Sequence, residues 1–193
     1  MKTLRELGIL EELIEKNPFS RPARPIDEVK GIVLHWVANP GTSAMANRNY
    51  FDSLKKQTDD GNARYASAHY VVGIAGEIVQ CLPRREMAYH AGAPSYKREA
   101  LEKLGRYPNG TTIGIELCHP DSTGRFTLKT WQSAAELTAV LLYQYALNAN
   151  DIWTHHQITG KNCPKWFVDY PNELEIFKTA VSELLAEGGQ PWN

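Results

Sequence analysis

The run Gly31-Ile32-Val33-Leu34-His35-Trp36-Val37 is apolar on both of the faces a strand presents, with one imidazole near its end. A strand exposed on one side would alternate apolar and polar residues, so a run without that alternation needs cover on both sides. That is the pattern of an inner strand with helices packed above and below it. The run therefore selects an α/β architecture, a central mixed β-sheet flanked by helices. A chain of 193 residues with 42% hydrophobic content can bury one such core and has little left for another, so a single domain is expected over residues 30–187.

The other elements are placed around that strand. Thr111 to Cys118 reads as a second strand with legible facing: Ile113, Ile115 and Leu117 share one side, and Thr112, Gly114, Glu116 and Cys118 the other. Ala66–Ile74 and Glu77–Leu82 read as a hairpin turning at Ala75-Gly76. Helices are expected from Thr42 or Ser43 to about Lys55, over Lys97–Leu104, from a Thr127 cap to about Leu147, and from Pro171 to about Ala186. Leu4, Leu7, Leu10 and Ile14 form a helical stripe, so residues 3–16 are expected to be a docking helix. Three prolines between Asn17 and Pro25 then impose a wrapping connector within residues 1–29, and residues 188–193 read as a flexible tail.

Charge and cysteine content exclude several classes. A net charge of −1 gives no electrostatic footprint for nucleic acid or an anionic membrane, so neither is expected as a partner, and the chain is expected to act as a monomer. Cys81, Cys118 and Cys163 are too few and too scattered for a disulfide framework and are read as reduced thiols. The first residues carry Glu11, Glu12 and Glu15 where an export signal needs an uninterrupted apolar core, and no stretch approaches the ~20 apolar residues of a membrane span. Synthesis in the cytoplasm without a signal peptide is the expectation.

The chemistry concentrates in Thr154-His155-His156-Gln157-Ile158-Thr159-Gly160-Lys161-Asn162-Cys163-Pro164, which holds imidazole, ammonium and thiol groups in one short loop. His155 and Cys163 stand eight residues apart with Gly160 between them, so the loop can fold back and aim both at one point, as a zinc ligand pair requires. His156 competes with His155 for that role. A third ligand is offered by His35, which ends its apolar run as His155 ends Asp151-Ile152-Trp153-Thr154. Ordinary roles stand beside these: a single Cys is commonly a small core hydrophobe, a His near an apolar run a hydrogen-bonded core residue, and Glu116 a solvated carboxylate on an open sheet face.

Taken together, Ile32-Val33-Leu34-His35-Trp36, Ser67-Ala68-His69-Tyr70-Val71-Val72, Gly76-Glu77-Ile78-Val79-Gln80, Tyr89-His90-Ala91-Gly92, Thr112-Ile113-Gly114-Ile115-Glu116 and His155 through Cys163-Pro164 resemble the zinc N-acetylmuramoyl-L-alanine amidases of the type 2 family. That family includes phage endolysins, bacterial autolysins and animal peptidoglycan recognition proteins, and the resemblance spans roughly residues 30–170. It implies a hydrolase that cuts the amide between N-acetylmuramic acid and L-alanine in bacterial peptidoglycan, acting on the wall after release. It also implies Zn2+ on His35, His155 and Cys163, with His155 chosen over His156 by the family's spacing. Glu116 falls on the catalytic glutamate and Lys161 on a basic residue beside the metal. His90 is expected to line the substrate groove, with a structural hydrogen bond as the alternative. Ala68 stands where one relative uses a tyrosine, so that tyrosine's share of the work would rest here on Glu116. The rival readings are a non-catalytic peptidoglycan-binding module, which would lack a ligand at Cys163, a structural metal site with a fourth ligand from His156, Cys118 or His119, and a cytoplasmic muropeptide-recycling amidase.

Overall fold

The computed structural model describes residues 2–187; the tail expected at 188–193 lies outside the described residues. In chain order the elements are β1 (Leu10–Glu11), β2 (Gly31–Trp36), α1 (Ala44–Ser53), β3 (Tyr70–Val72), β4 (Ile78–Gln80), α2 (Arg98–Leu104), β5 (Thr112–Leu117), α3 (Leu128–Gln144), β6 (Ile152–Thr154), α4 (His155–Thr159), α5 (Lys165–Asp169) and α6 (Pro171–Glu187). The strands form one mixed sheet in the order β1-β4-β3-β5-β2-β6, parallel at every pairing except β3 with β4. The expected central mixed sheet with flanking helices is what forms. Among the described residues no helix is long and apolar enough to cross a membrane.

The two faces are covered differently. On one face Ile32 and Leu34 of β2, Tyr70 and Val72 of β3, Ile113, Ile115 and Leu117 of β5 and Ile152 of β6 pack as one continuous core under α3 and α6. Thr127 caps α3 as expected, its Oγ1 accepting from the Thr130 amide at 3.0 Å. On the opposite face the apolar cover is split in two. Val71 and Val79 pack with Ala44 and Phe51 of α1, whereas Val33 and Trp153 pack with Ala100 and Leu104 of α2 and Ile158 of α4. Between them run Thr112, Gly114 and Glu116 of β5, and this polar seam is where the chemistry-bearing residues gather.

The hairpin turns at Gly76, whose φ of +88° suits a residue without Cβ. Its strands are shorter than the alternation suggested. Ala66 and Ser67 give their amide protons to Phe19 O and Tyr89 O instead of to a neighbouring strand, so β3 starts only at Tyr70.

The N-terminal segment departs from expectation. No helix forms over residues 3–16: a turn ends at Gly8, with φ +61°, and Leu10–Glu11 adds to the outer edge of β4 as a parallel strand. The amides of Glu12 and Ile14 continue the pairing onto Gln80 O and Cys81 O at 3.0 and 2.8 Å. The physical reason lies in where the apolar stripe goes. Leu4 and Leu7 pack on the core beneath α3 and α6, while Ile14 is buried in the cluster under α1 on the other face. A straight helix cannot reach both sides of a sheet; an extended chain passing its edge can. The proline-rich connector does wrap the body, held by the paired contacts of Arg21 with both Glu86 carboxylate oxygens at 2.7 and 3.0 Å and by Arg21 donating to Ile14 O.

Ile14 is fully buried, so Ile14→Ala should cost about 2–5 kcal/mol of stability, read as a shift in a urea unfolding midpoint. A shift within error would mean the first strand and its connector are an appendage.

Candidate metal centre

Register places the site. In the parallel pair β2–β5, His35 lies directly beside Glu116, and in β2–β6, Leu34 lies beside Thr154, which brings His155 level with His35. Neighbouring residues in register point to the same face, so Glu116, His35 and His155 stand in one row at the carboxyl ends of three adjacent strands. Ligands of open α/β sheets collect at that end. The His35 and His155 rings meet edge to face with centroids 4.9 Å apart.

His155 owes its position to local chemistry. Thr154-His155-His156-Gln157 is a capping box: the Thr154 hydroxyl accepts from the Gln157 amide at 3.1 Å, and the Gln157 side chain accepts from the Thr154 amide at 2.8 Å. The strand therefore turns into a single helical turn at His155, where a plain loop was expected. Gly160, with φ +88°, stops the turn, and the His156 amide donates to Cys163 O at 2.9 Å, closing the return. Cys163 comes back against His35.

His35, His155 and Cys163 are all buried, and their ligand atoms lie within 4.8 Å of one another. Cys163 Sγ is 3.7 Å from His35 Nδ1. Zinc bonds of about 2.05 Å to nitrogen and 2.3 Å to sulfur at tetrahedral angles separate the two donors by about 3.6 Å, so this edge already has the span the ion needs. Burial holds both imidazoles in the neutral form that has a lone pair to give: His35 is pushed well below its usual range, helped by His90, and His155 to about 4, with Lys161 adding to the shift. Burial pushes the Cys163 thiol up, so a cation is needed to hold it as thiolate. Two nitrogens and a sulfur suit zinc.

None of the alternative fourth ligands joins this group. His156 is turned to Lys161 O, Cys118 takes a hydrogen bond from Asn47 Nδ2 at 3.6 Å, and the His119 ring lies between Val37 O and Asp121 O. Among the described residues the cluster has three members, and a tetrahedral ion held by them would keep a fourth position for another ligand.

Glu116 is half-buried, and its Oε2 is enclosed without a protein partner. Burial raises its carboxyl to about 8, with Lys161 pulling the other way. Lys161 itself is exposed, and Ala68 is fully buried in the cluster under α1. His90 is buried, and both of its ring nitrogens have protein partners: Nδ1 is 3.0 Å from His35 Nε2 and Nε2 is 3.1 Å from Thr112 Oγ1. That ring faces His35.

Two residues of the seam, Thr112 and His69, were not singled out in the sequence. His69 accepts the Gly114 amide on Nδ1 at 3.0 Å and donates from Nε2 to Glu86 O at 2.8 Å, filling a gap between β3 and β5. Gly114 is itself a signal, since a glycine inside an otherwise apolar strand marks a close approach, and the ring that comes close there is His90.

With this geometry in hand, comparison with known proteins is decisive. The N-acetylmuramoyl-L-alanine amidase family, Amidase_2, matches residues 24–166. The chain belongs to this family. A protein of Bacillus licheniformis named as a probable N-acetylmuramoyl-L-alanine amidase is 37% identical over 177 residues, 92% of this chain and 48% of that protein. The solved catalytic domain of XlyA superposes with a TM-score of 0.68 at 25% identity, covering 90% of this chain and 98% of that one. A mutant endolysin from Bacillus subtilis has the same TM-score at 27% identity, covering 90% and 97%. The chain thus spans about half the length of the curated amidases it matches and matches nearly the whole of the XlyA catalytic domain.

His69 gives a pH prediction. Burial depresses its pKa from 6.5 to about 4 in the folded chain, so between those values the unfolded chain binds a proton that the folded chain does not. Stability should therefore fall as pH drops from 6.5 towards 4, by up to about 1.4 kcal/mol for each pH unit from this residue. His69→Gln, which can still accept from Gly114 and donate to Glu86, should flatten the melting temperature against pH over that window. An unchanged slope would rule His69 out as a source.

Proposed function

We propose that this chain is a zinc-dependent N-acetylmuramoyl-L-alanine amidase that hydrolyses the amide between N-acetylmuramic acid and L-alanine in bacterial peptidoglycan, in the lytic role of an endolysin or autolysin. The observation that carries the reading is the row of Glu116, His35 and His155 with Cys163 folded back onto it: three ligands for one ion with a carboxylate on the neighbouring strand. The relatives named as amidases and endolysins supply the substrate. Cys163 argues against a binding-only module, which has no use for a third ligand.

An amide needs a stronger nucleophile than water, a polarised carbonyl and a proton for the departing nitrogen. His35, His155 and Cys163 would hold the zinc, which when bound would supply the first two as a Lewis acid able to lower the pKa of water from about 15.7 to roughly 7. Glu116 takes the water's proton on its unpartnered Oε2 and delivers it to the leaving L-alanine amine. The Lys161 ammonium, whose charge acts on Glu116 and on His155, would stabilise the developing oxyanion, a contribution typically of ~3 kcal/mol. A glycosidase reading lacks its second carboxylate, because Glu116 is the carboxylate of this row.

Two experiments test this reading. His35→Ala should lose both zinc and turnover, whereas Glu116→Gln should keep zinc and lose turnover by ~100-fold or more; normal turnover in Glu116→Gln would sink the assignment. Digestion of purified sacculi should expose new L-alanine amino termini, abolished by a chelator, with intact glycan strands. New reducing sugar ends, or new amino groups on D-amino acids, would point to a different bond.

A further inference from the structure

The His90 ring, the Thr112 hydroxyl and the Pro108 carbonyl form a chain of hydrogen bonds that ends on His35. Thr112 Oγ1 lies 2.7 Å from Pro108 O and 3.1 Å from His90 Nε2, and His90 Nδ1 lies 3.0 Å from His35 Nε2. The direction of every proton follows from the far end. A carbonyl only accepts, so the Thr112 hydroxyl donates to Pro108 and can only accept from the ring. His90 must then carry its proton on Nε2, which leaves Nδ1 bare as an acceptor. His35 must in turn carry its proton on Nε2 and present the lone pair of Nδ1, the atom that faces Cys163 Sγ at 3.7 Å.

We propose that Thr112 and His90 are positioning residues that fix the tautomer and the ring plane of His35 so that Nδ1 is its metal-binding atom. The proposal rests on the reading of His35 as a zinc ligand and adds the device that prepares it. Three further features serve the same chain. Thr112 is fully buried and His90 nearly so, so water does not compete for these bonds. Asn109 Oδ1 accepts from the amides of both His90 and Ala91, at 3.2 and 2.7 Å, and pins the backbone that carries the ring. Gly114 is the floor on which the ring lies: a Cβ there would meet His90 Cγ at 2.6 Å and Nδ1 at 2.8 Å, a collision with a ring held on both sides. An outer partner that orients a metal-bound histidine typically changes metal affinity by about 10–100-fold.

Two substitutions at Thr112 separate the hydroxyl from the shape. Thr112→Val keeps the volume and removes the hydroxyl; Thr112→Ser keeps the hydroxyl and removes a methyl. On the full chain, competition with a chromophoric chelator should show zinc affinity about 10–100-fold weaker in Thr112→Val and within about threefold of the parent in Thr112→Ser. Equal affinities in the two variants, or the reverse order, would overturn the proposal. Long-range 1H–15N correlation of the histidine rings in the parent chain without metal gives a second measurement that needs no variant to fold: His35 and His90 should both carry hydrogen on Nε2 and none on Nδ1. A proton on Nδ1 of either ring would overturn it. A parent chain that shows these tautomers and yet takes up no zinc would instead count against the amidase reading.

Discussion

The parallel pairing of β2 between β5 and β6 is the constraint from which the site follows. Parallel neighbours in register present their side chains on the same face, so Glu116 stands beside His35, and the end of β6 at Thr154 delivers His155, the first residue of α4, to the same level. Shifting β5 against β2 by one residue would turn Glu116 into the core beneath α3 and α6 and bring Ile115 or Leu117 to the site. That core, continuous from Ile152 through Leu34 and Ile115 to Tyr70, makes such a slip costly, and so the apolar face enforces the geometry of the polar one.

The opposite face shows how a polar site is accommodated inside an α/β fold. One continuous apolar layer would leave Glu116 and the histidines without polar partners. Instead α1 covers the side of β3 and β4, and α2 with α4 covers the side of β2 and β6. The strip left over β5 is filled by groups that satisfy one another, with His69 bridging to the Gly114 amide, His90 to Thr112 and His35 to His90. Glu116 Oε2 is the exception, enclosed and unpaired. An unpartnered buried oxygen is rare in a folded chain, and it marks the point of this strip that the protein's own groups do not satisfy.

Much of this was legible in the sequence for stated physical reasons. The two-sided apolar run of β2 calls for a covered sheet, and the alternation of β5 separates Ile113, Ile115 and Leu117 from Glu116. His35, His155 and Cys163 followed from spacing and from the family's motifs together, and the structure gathers these three. The segment over residues 3–16 was misread because spacing alone cannot distinguish a helical stripe from an extended strand whose apolar residues serve two different faces. The turn at His155 was missed although its capping box was present in Thr154 and Gln157. Neither the partners of His90 nor the burial of Glu116 could be read, since both depend on segments far apart in the chain meeting over one strand.

The placement of β2 also sets an order on the birth of the site. Its two neighbours are made long after it, β6 more than a hundred residues later, and His155 and Cys163 follow β6 immediately. A nascent chain that has emerged through β5 therefore has one ligand and an unfilled strand edge, and the cluster closes only when nearly the whole domain is available to fold. Long-range pairings of this kind form late because the loop must close before the contact is gained. The topology itself thus leaves a partly made chain without an assembled cluster.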